Sequence, residues 1–267
     1  MESTVSVRGE GAIAEVVLRK KTMPPAMFFD IEAAFREVSS SEGVRAVLLY
    51  SEVEQFSYGL DLREAFKEYG ELFTGGGLAG PRTELLELIR SLQRTMSAVA
   101  KCPVPVIAAV HGWCIGGGVD LISACDVRTA SADARFSVRE TKLGIVADLG
   151  SLQRLPRIVG QGNARELALT GTDIGAQRAQ AMGLISEVAT DRDGALQAAR
   201  AMAQEIAENP PLVVRGVKQV MNFGEDKSVD DGLEYVAAWN SAFLASEDLG
   251  EAVSAFAARR APEFKGK

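Results

Sequence analysis

Residues 111–148 hold three consecutive glycines, Gly116, Gly117 and Gly118, followed by Asp120, Glu140 and Asp148. A glycine-rich turn at the head of a helix presents bare backbone N–H groups, and the helix end adds partial positive charge. Such a turn can hold a developing oxyanion, and acids close behind it can move protons around the same atom. The chemistry that fits is the making and quenching of an enolate. Gly117 and Asp120 stand three residues apart, on one face of a helix, so the carboxylate is expected over the point that the Gly117 N–H addresses. Asp148 ends the apolar run 144–148, where desolvation raises a carboxyl pKa and suits a proton shuttle.

Each feature also has a plainer reading. The glycines could serve tight helix packing. Asp120 could cap its helix or pair with Arg128, and Glu140 could pair on the surface with Arg139 or Lys142. An oxyanion hole needs two donors from separate segments. Residues 56–62 (Phe56, Ser57, Tyr58, Gly59, Leu60, Asp61, Leu62) read as a strand end, a glycine and a helix start, which leaves N–H groups unused. Taken alone, that stretch is an ordinary turn.

Other chemistries lack their residues. Gly112, Gly116, Gly117 and Gly118 miss the G-x-G-x-x-G spacing, and no G-x-x-x-x-G-K-[ST] loop exists. There is no G-x-S-x-G elbow, and a serine triad would have to use His111, the single histidine. Cys102, Cys114 and Cys125 form no C-x-x-C pair and read as buried thiols in a reducing compartment. A zinc site would lack ligands, so no metal is expected.

The elements that must position these residues follow from pattern. Residues 5–8 and 12–18 read as a hairpin across Gly9 and Gly11. Residues 27–38 have helical spacing, 44–50 a buried-strand run, and 61–69 a helix start. Residues 75–81, four glycines and a proline among them, read as a breaker, either a surface loop or a lid. Leu85, Leu88, Ile89, Leu92, Met96 and Val99 mark an amphipathic helix over 83–100, ended by Pro103 and Pro105. A buried strand at 106–110 turns through 111–118 into a helix ending near Ala124, and 126–130 and 135–138 are further short strands. From Gly150 the chain is helical except at 184–188, with helices near 195–207, 212–222, 229–245 and 249–258, and Pro210 and Pro211 at a helix start. The class is α/β with crossover helices. The helical tail cannot bury its apolar faces alone, so an oligomer is expected.

Composition bounds the rest. The 267 residues, 47% hydrophobic and 24% charged, fit one core with a smaller appendage. A net charge of −7 argues against nucleic acid as a partner, though not against a local basic pocket for a phosphorylated small ligand. No apolar run reaches about 18 residues, so no membrane span is expected. Residues 1–11 lack a signal-peptide pattern and residues 264–267 are not a peroxisomal tripeptide, so the expected compartment is the cytoplasm.

Residues 104–126, V-P-V-I-A-A-V-H-G-W-C-I-G-G-G-V-D-L-I-S-A-C-D, resemble the enoyl-CoA hydratase/isomerase (crotonase) superfamily. The resemblance continues through Phe136, Glu140, Gly144, Leu155, Pro156, Gly160, Ala164, Ala179, Gly183, Leu184 and Val188, to the tail Arg260, Ala261, Pro262, Glu263, Phe264. It implies a spiral of ββα units (residues 1–200, carrying an acyl-CoA site) followed by a C-terminal helical trimerisation domain (residues 201–267), assembled as a homotrimer or homohexamer. It implies an oxyanion hole from the N–H groups of Leu60 and Gly117, holding the thioester carbonyl. Substrate contacts would come from Ser57, Tyr58, Gly59, Leu60, Asp61 and Gly117. Lys20, Lys21 and a neighbouring subunit's copy of Lys265 would meet coenzyme A phosphates. No cofactor is expected beyond the coenzyme A carried by the substrate.

Family hydratases carry glutamates at the positions of Asp120 and Glu140. The set Asp120, Glu140 and Asp148 resembles instead the Δ3,5-Δ2,4-dienoyl-CoA isomerase branch. That branch implies Asp148 taking a proton from C2, Glu140 delivering one to C6, and Asp120 supporting the site electrostatically. The alternatives are a 2-enoyl-CoA hydratase using Asp120 and Glu140, and a non-catalytic acyl-CoA binder. Two positions depart from the family pattern: Tyr58 stands where a small residue is usual, and the asparagine that commonly precedes Ala26 is Pro25.

Overall fold

In the computed structural model, which describes residues 3–9, 11–75 and 77–267, the chain opens with an antiparallel hairpin of β1 (Val5–Arg8) and β2 (Ile13–Leu18). Glu10 lies outside the described residues. Helix α1 (Pro25–Ser40) starts on a proline whose fixed φ suits the first helical position. Met27, Phe28, Ile31, Ala34, Phe35 and Val38 form its buried stripe at helical spacing. Strand β3 (Ala46–Ser51) follows, then α2 (Leu62–Thr74), α3 (Ala79–Ala100), β4 (Val106–Val110), β5 (Trp113–Ile115) and α4 (Gly117–Ser123). Next come β6 (Val127–Ser131), β7 (Arg135–Ser137), a 3-10 turn (Glu140–Leu143), α5 (Ser151–Thr170), β8 (Ile174–Gly175), α6 (Ala176–Ala181) and β9 (Glu187–Ala189). Four helices finish the chain: α7 (Arg192–Glu208), α8 (Pro211–Gly224), α9 (Val229–Phe243) and α10 (Glu247–Ala258).

The main sheet has the order β1-β2-β3-β4-β6-β9 and is parallel from β2 onward. A second sheet, β5-β7-β8, runs beside it. The segments β4–β5–α4 and β6–β7–α5 each lay one strand in each sheet and then a helical segment, so these units climb as a spiral, and α6 separates β8 of the second sheet from β9 of the main one. This is the expected α/β architecture with a helical C-terminal region.

Strands β3 and β4 are buried along their whole length because both faces of the sheet are covered. One face (Val47, Leu49, Val106, Ala108, Val110) joins the large core with α1 and α3. The other (Ala46, Leu48, Tyr50, Ile107, Ala109) packs on Ala199 and Ala203 of α7. The expected domain boundary at residue 200 therefore falls inside a helix that belongs to the core. The break comes at Asn209 and Pro210, where the backbone turns extended before α8.

Two further expectations are corrected. Residues 75–81 are not all loop: α3 begins at Ala79 and takes Pro81 into its first turn, where a missing N–H costs nothing. Gly76 lies outside the described residues. Residues 111–118 are not a simple turn either, since Trp113–Ile115 forms β5.

Helix α8 is tied to the core by Lys218, whose Nζ donates to Asp126 Oδ2 (2.6 Å) and to the Val104 carbonyl (3.1 Å). Helices α9 and α10 leave Leu233, Phe243, Val253 and Phe256 exposed. The tail returns to the core: Asp248 accepts the N–H groups of Lys265 (2.7 Å) and Gly266 (2.8 Å), and Arg45 donates to the Phe264 carbonyl (2.7 Å). No helix among the described residues is long and apolar enough to cross a membrane.

Candidate active site

Strands β3 and β4 are parallel neighbours, so the loops that follow them leave the same end of the sheet. The two loops lock together: the Ser57 N–H donates to the Trp113 carbonyl (2.8 Å), and the Ile115 N–H to the Ser57 carbonyl (2.9 Å). Residues 21–23 bind the first loop from its other side. Tyr58 N–H donates to Lys21 O (2.6 Å), Met23 N–H to Gly59 O (2.8 Å) and Asp61 N–H to Met23 O (2.9 Å), while Gly59 N–H goes to Ser57 Oγ (3.0 Å). In the second loop Gly116 N–H donates to Ser137 O (3.0 Å), and the N–H groups of Val119 and Asp120 turn back to Gly116 O (2.7 and 3.0 Å).

After these bonds are made, the N–H groups of Leu60 and Gly117 have no hydrogen-bond partner among the described residues. They are near neighbours. A Cβ built on Gly59, whose φ is +79°, would stand 2.7 Å from the Ile115 carbonyl oxygen and 3.2 Å from Gly117 N. Only glycine permits that approach and that φ together. Two unused donors from separate segments thus meet at one spot, which is the geometry an oxyanion requires.

Glu140 opens the 3-10 turn after β7. A Cβ on Gly116 would lie 3.2 Å from its Oε1, so this carboxylate sits against the second loop. Its Oε2 is buried without a hydrogen-bond partner. The surface pairing considered for Glu140 is not made: Arg139 binds Asp173 and lies over the Trp113 ring at 5.6 Å, and the Lys142 stem packs beside Gly171. Burial, then the charge of Asp148, pushes the Glu140 carboxyl above its ordinary range.

Asp120 is 1% exposed, and its Oδ1 accepts the Ser151 N–H at 2.6 Å, at the head of α5. Its expected position over the Gly117 N–H is modified accordingly: the carboxylate is held by the helix that follows the site. It does not pair with Arg128, whose guanidinium donates to the carbonyls of Leu184, Ile122 and Cys125. Burial first, and then the charge of Glu140, push the Asp120 carboxyl up to about 7 against the lowering effect of the Ser151 N–H.

Asp148 has its carbonyl fixed by Gln93 Nε2 (2.7 Å). Its side chain is open to solvent, yet apolar neighbours desolvate it enough to raise its pKa. It lines an apolar cavity of about 450 Å³ with Leu60, Phe66, Tyr69, Leu88, Ile145 and Leu149. The cavity thus runs from one of the two unused donors past an acid and between α2 and α3.

Other expected residues are placed less centrally. Ser57 is buried and spends its hydroxyl on Gly59 N–H. Asp61 caps α2 through the Glu64 N–H (3.1 Å) and accepts from Thr22 Oγ1 (2.8 Å), bonds that hold its pKa low. Tyr58 turns its ring outward, 41% exposed. Lys20 and Lys21 are exposed beside the first loop, with no ion pair among the described residues. Lys265 is not brought to the site of its own chain. The tail is held at Arg45, ahead of β3, whereas the site follows the opposite end of that strand. Sequence reasoning missed Ser151, Gln93 and the apolar wall of α2. Gly150 ahead of a helix start was the available sign for Ser151.

The profile described as enoyl-CoA hydratase/isomerase matches residues 8–267. The chain belongs to the enoyl-CoA hydratase/isomerase family. Among relatives of this family member, the Δ3,5-Δ2,4-dienoyl-CoA isomerase, mitochondrial, of Dictyostelium discoideum is 42% identical over 260 residues, spanning 95% of this chain and 87% of that one. The peroxisomal Δ3,5-Δ2,4-dienoyl-CoA isomerase of Arabidopsis thaliana is 42% identical over 237 residues, 89% of this chain and 85% of that one. A crystal structure of enoyl-CoA hydratase from Bacillus anthracis superposes with a TM-score of 0.88 at 29% identity, covering 99% of this chain and 100% of that one. The expectation of a cytoplasmic protein is overturned by these relatives, which are labelled mitochondrial and peroxisomal.

A carboxyl whose folded pKa is raised binds more protons folded than unfolded, so stability falls as pH climbs from about 4 towards about 7. Asp120→Asn removes the buried charge and still offers an oxygen to the Ser151 N–H. Urea unfolding should find this variant more stable than the parent by about 2–4 kcal/mol at pH 8, with the gap narrowing to about a third of that by pH 5 and closing below about pH 4. A gap that does not change with pH would show that Asp120 carries no such penalty.

Proposed function

We propose that the protein is an acyl-CoA isomerase that converts 3,5-dienoyl-CoA to 2,4-dienoyl-CoA. The thioester oxygen sits between the N–H groups of Leu60 and Gly117. Asp148 takes a proton from C2, the C–H electron pair forms a C1–C2 double bond, and the carbonyl pair moves onto that oxygen as a dienolate. Glu140 then donates a proton to C6, the oxygen returns its electrons, and the double bonds come to rest at C2 and C4. Atoms balance, and the two acids regain their starting states by exchange with solvent. The cavity between α2 and α3 takes the acyl tail, and Asp120 supports the site electrostatically. Coenzyme A enters as part of the substrate, with Lys20 and Lys21 near its phosphates.

The observation that carries this reading is Asp148, a third acid in the wall of the same apolar cavity as the Leu60 donor. Identity to relatives named dienoyl-CoA isomerases supports it. A hydratase would need Asp120 and Glu140 to hold one water between them, but Asp120 is buried and already bonded to Ser151. A non-catalytic binder gives no use for a buried Glu140 Oε2 without a hydrogen bond, which costs stability.

Offered a 3,5-dienoyl-CoA, the purified protein should raise the absorbance of the conjugated 2,4-dienoyl product. Asp148→Asn should cut that rate at least about 10²–10⁴-fold while acyl-CoA binding changes little. Hydration of 2-enoyl-CoA with no dienoyl turnover would replace this reading with the hydratase one.

We also propose a homotrimer or homohexamer, in which a neighbouring subunit covers the exposed apolar residues of α9 and α10 and brings its own Lys265 towards the coenzyme A. Light scattering behind size exclusion should give three or six times 28.5 kDa. A monomer mass at micromolar concentration would refute the assembly.

A further inference from the structure

Asp148 sits on a loop that few bonds hold. Residues 144–150 are bracketed by Gly144 at φ +74° and Gly150 at φ +123°, where the chain turns in ways that favour glycine. Between them Ile145 and Val146 are exposed, and Ala147 alone is buried in the core. The Ile145 N–H donates to the Glu140 carbonyl (3.0 Å), and the Leu149 carbonyl takes a long bond from Arg154 Nη1 (3.4 Å). Across residues 146–148, Gln93 Nε2 to the Asp148 carbonyl (2.7 Å) is the only hydrogen bond to another segment among the described residues.

That bond comes from α3. Leu85, Leu88, Ile89 and Leu92 of this helix wall the apolar cavity, and Asp148 and Leu149 complete the wall beside them. Gln93 follows Leu92 and closes the seam where helix meets loop. A carbonyl only accepts, so the side-chain amide must turn its NH₂ towards it. The peptide unit is planar, so fixing the Asp148 oxygen fixes the plane that leaves the Asp148 Cα and restrains the direction in which the carboxylate enters the cavity. Gln93 itself is exposed, and an exposed hydrogen bond contributes little to global stability. Its effect is geometric, since a misplacement of about 1 Å at a reacting group can cost about 10²-fold in rate. Glu140 lies against the second loop and Asp120 is held at the head of α5, so the bond from Gln93 bears on Asp148 and not on the other two acids.

We propose that Gln93 is a positioning residue: by holding the Asp148 carbonyl from α3, it aims the carboxylate at C2 and leaves the C6 side of the reaction untouched. Its effect on turnover rests on the isomerase reading.

The two ends of the reaction can be read apart. Conversion of 3,5-dienoyl-CoA needs Asp148 to take the C2 proton. Incubated with 2,4-dienoyl-CoA in D₂O, the protein needs only Glu140 to take a proton from C6, form the dienolate and return deuterium to C6 after exchange with solvent. Gln93→Met, similar in length and without an N–H, should cut the kcat of conversion about 10–10²-fold. Its KM and its rate of deuterium entry at C6 should stay within about twofold of the parent. Gln93→Leu should do the same if the methionine variant does not fold. Conversion and deuterium entry that fall together would mark general damage and overturn the proposal, as would a folded variant that loses neither. If the parent converts no dienoyl substrate, the isomerase reading falls, and methyl NMR relaxation of the free protein decides the part played by Gln93. In Gln93→Met the order parameters of the Ile145, Val146 and Leu149 methyls should drop, with those of Ile107 and Val110 in β4 unchanged. Loop methyls as rigid as in the parent would overturn the proposal.

Discussion

Two backbone hydrogen bonds hold this site together: Ser57 N–H to Trp113 O and Ile115 N–H to Ser57 O. They set the register between the loops after β3 and β4. Around them nearly every N–H of the first loop is consumed, by Lys21, Met23, Ser57 or Trp113, and what remains is Leu60. In the second loop what remains beside it is Gly117. A hole built this way needs no side chain to rotate into place, so its donors are arranged before substrate arrives. That preorganisation is what gives backbone donors their effect on a developing charge.

The acids obey a different constraint. Asp120 is buried, Glu140 partly so and Asp148 open to solvent beside apolar neighbours, and each carboxyl is pushed towards its neutral form. The fold does not neutralise them with direct ion pairs: Arg128 and Arg139 are engaged elsewhere. It places one helix head, α5, against Asp120 and leaves Glu140 partly unsatisfied. The result is a site that stores electrostatic cost in order to keep protons mobile at neutral pH, a common exchange of stability for activity.

Much of this was legible in the sequence, and the pattern of success has physical causes. The runs at 44–50 and 106–110 announced strands covered on both faces, and the stripe from Leu85 to Val99 announced α3. The joint spacing of the glycine turn with Asp120, Glu140 and Asp148 announced the site. What sequence could not carry was contact at a distance. Strand β5 is three residues long and exists because β7 and Ser57 pair with it, so it has no period of its own. Asp120 meets Ser151 from 31 residues away, and Gln93 meets Asp148 from 55. The expected boundary at residue 200 cuts helix α7, because its sequence pattern does not say that its alanines lie against the sheet. Pro81 read as a breaker because composition does not say whether a proline lies before a helix or within its first turn.

The central claim is that two separate carboxyls move protons at the two ends of a conjugated chain while the backbone holds its oxygen. Turnover of a 3,5-dienoyl-CoA in D₂O, with the product read by mass spectrometry and NMR, tests it directly. The account predicts a 2,4-dienoyl-CoA carrying one deuterium at C6, delivered by a solvent-exchanged Glu140, with no added water. A product without deuterium, or one heavier by a molecule of water, would contradict it.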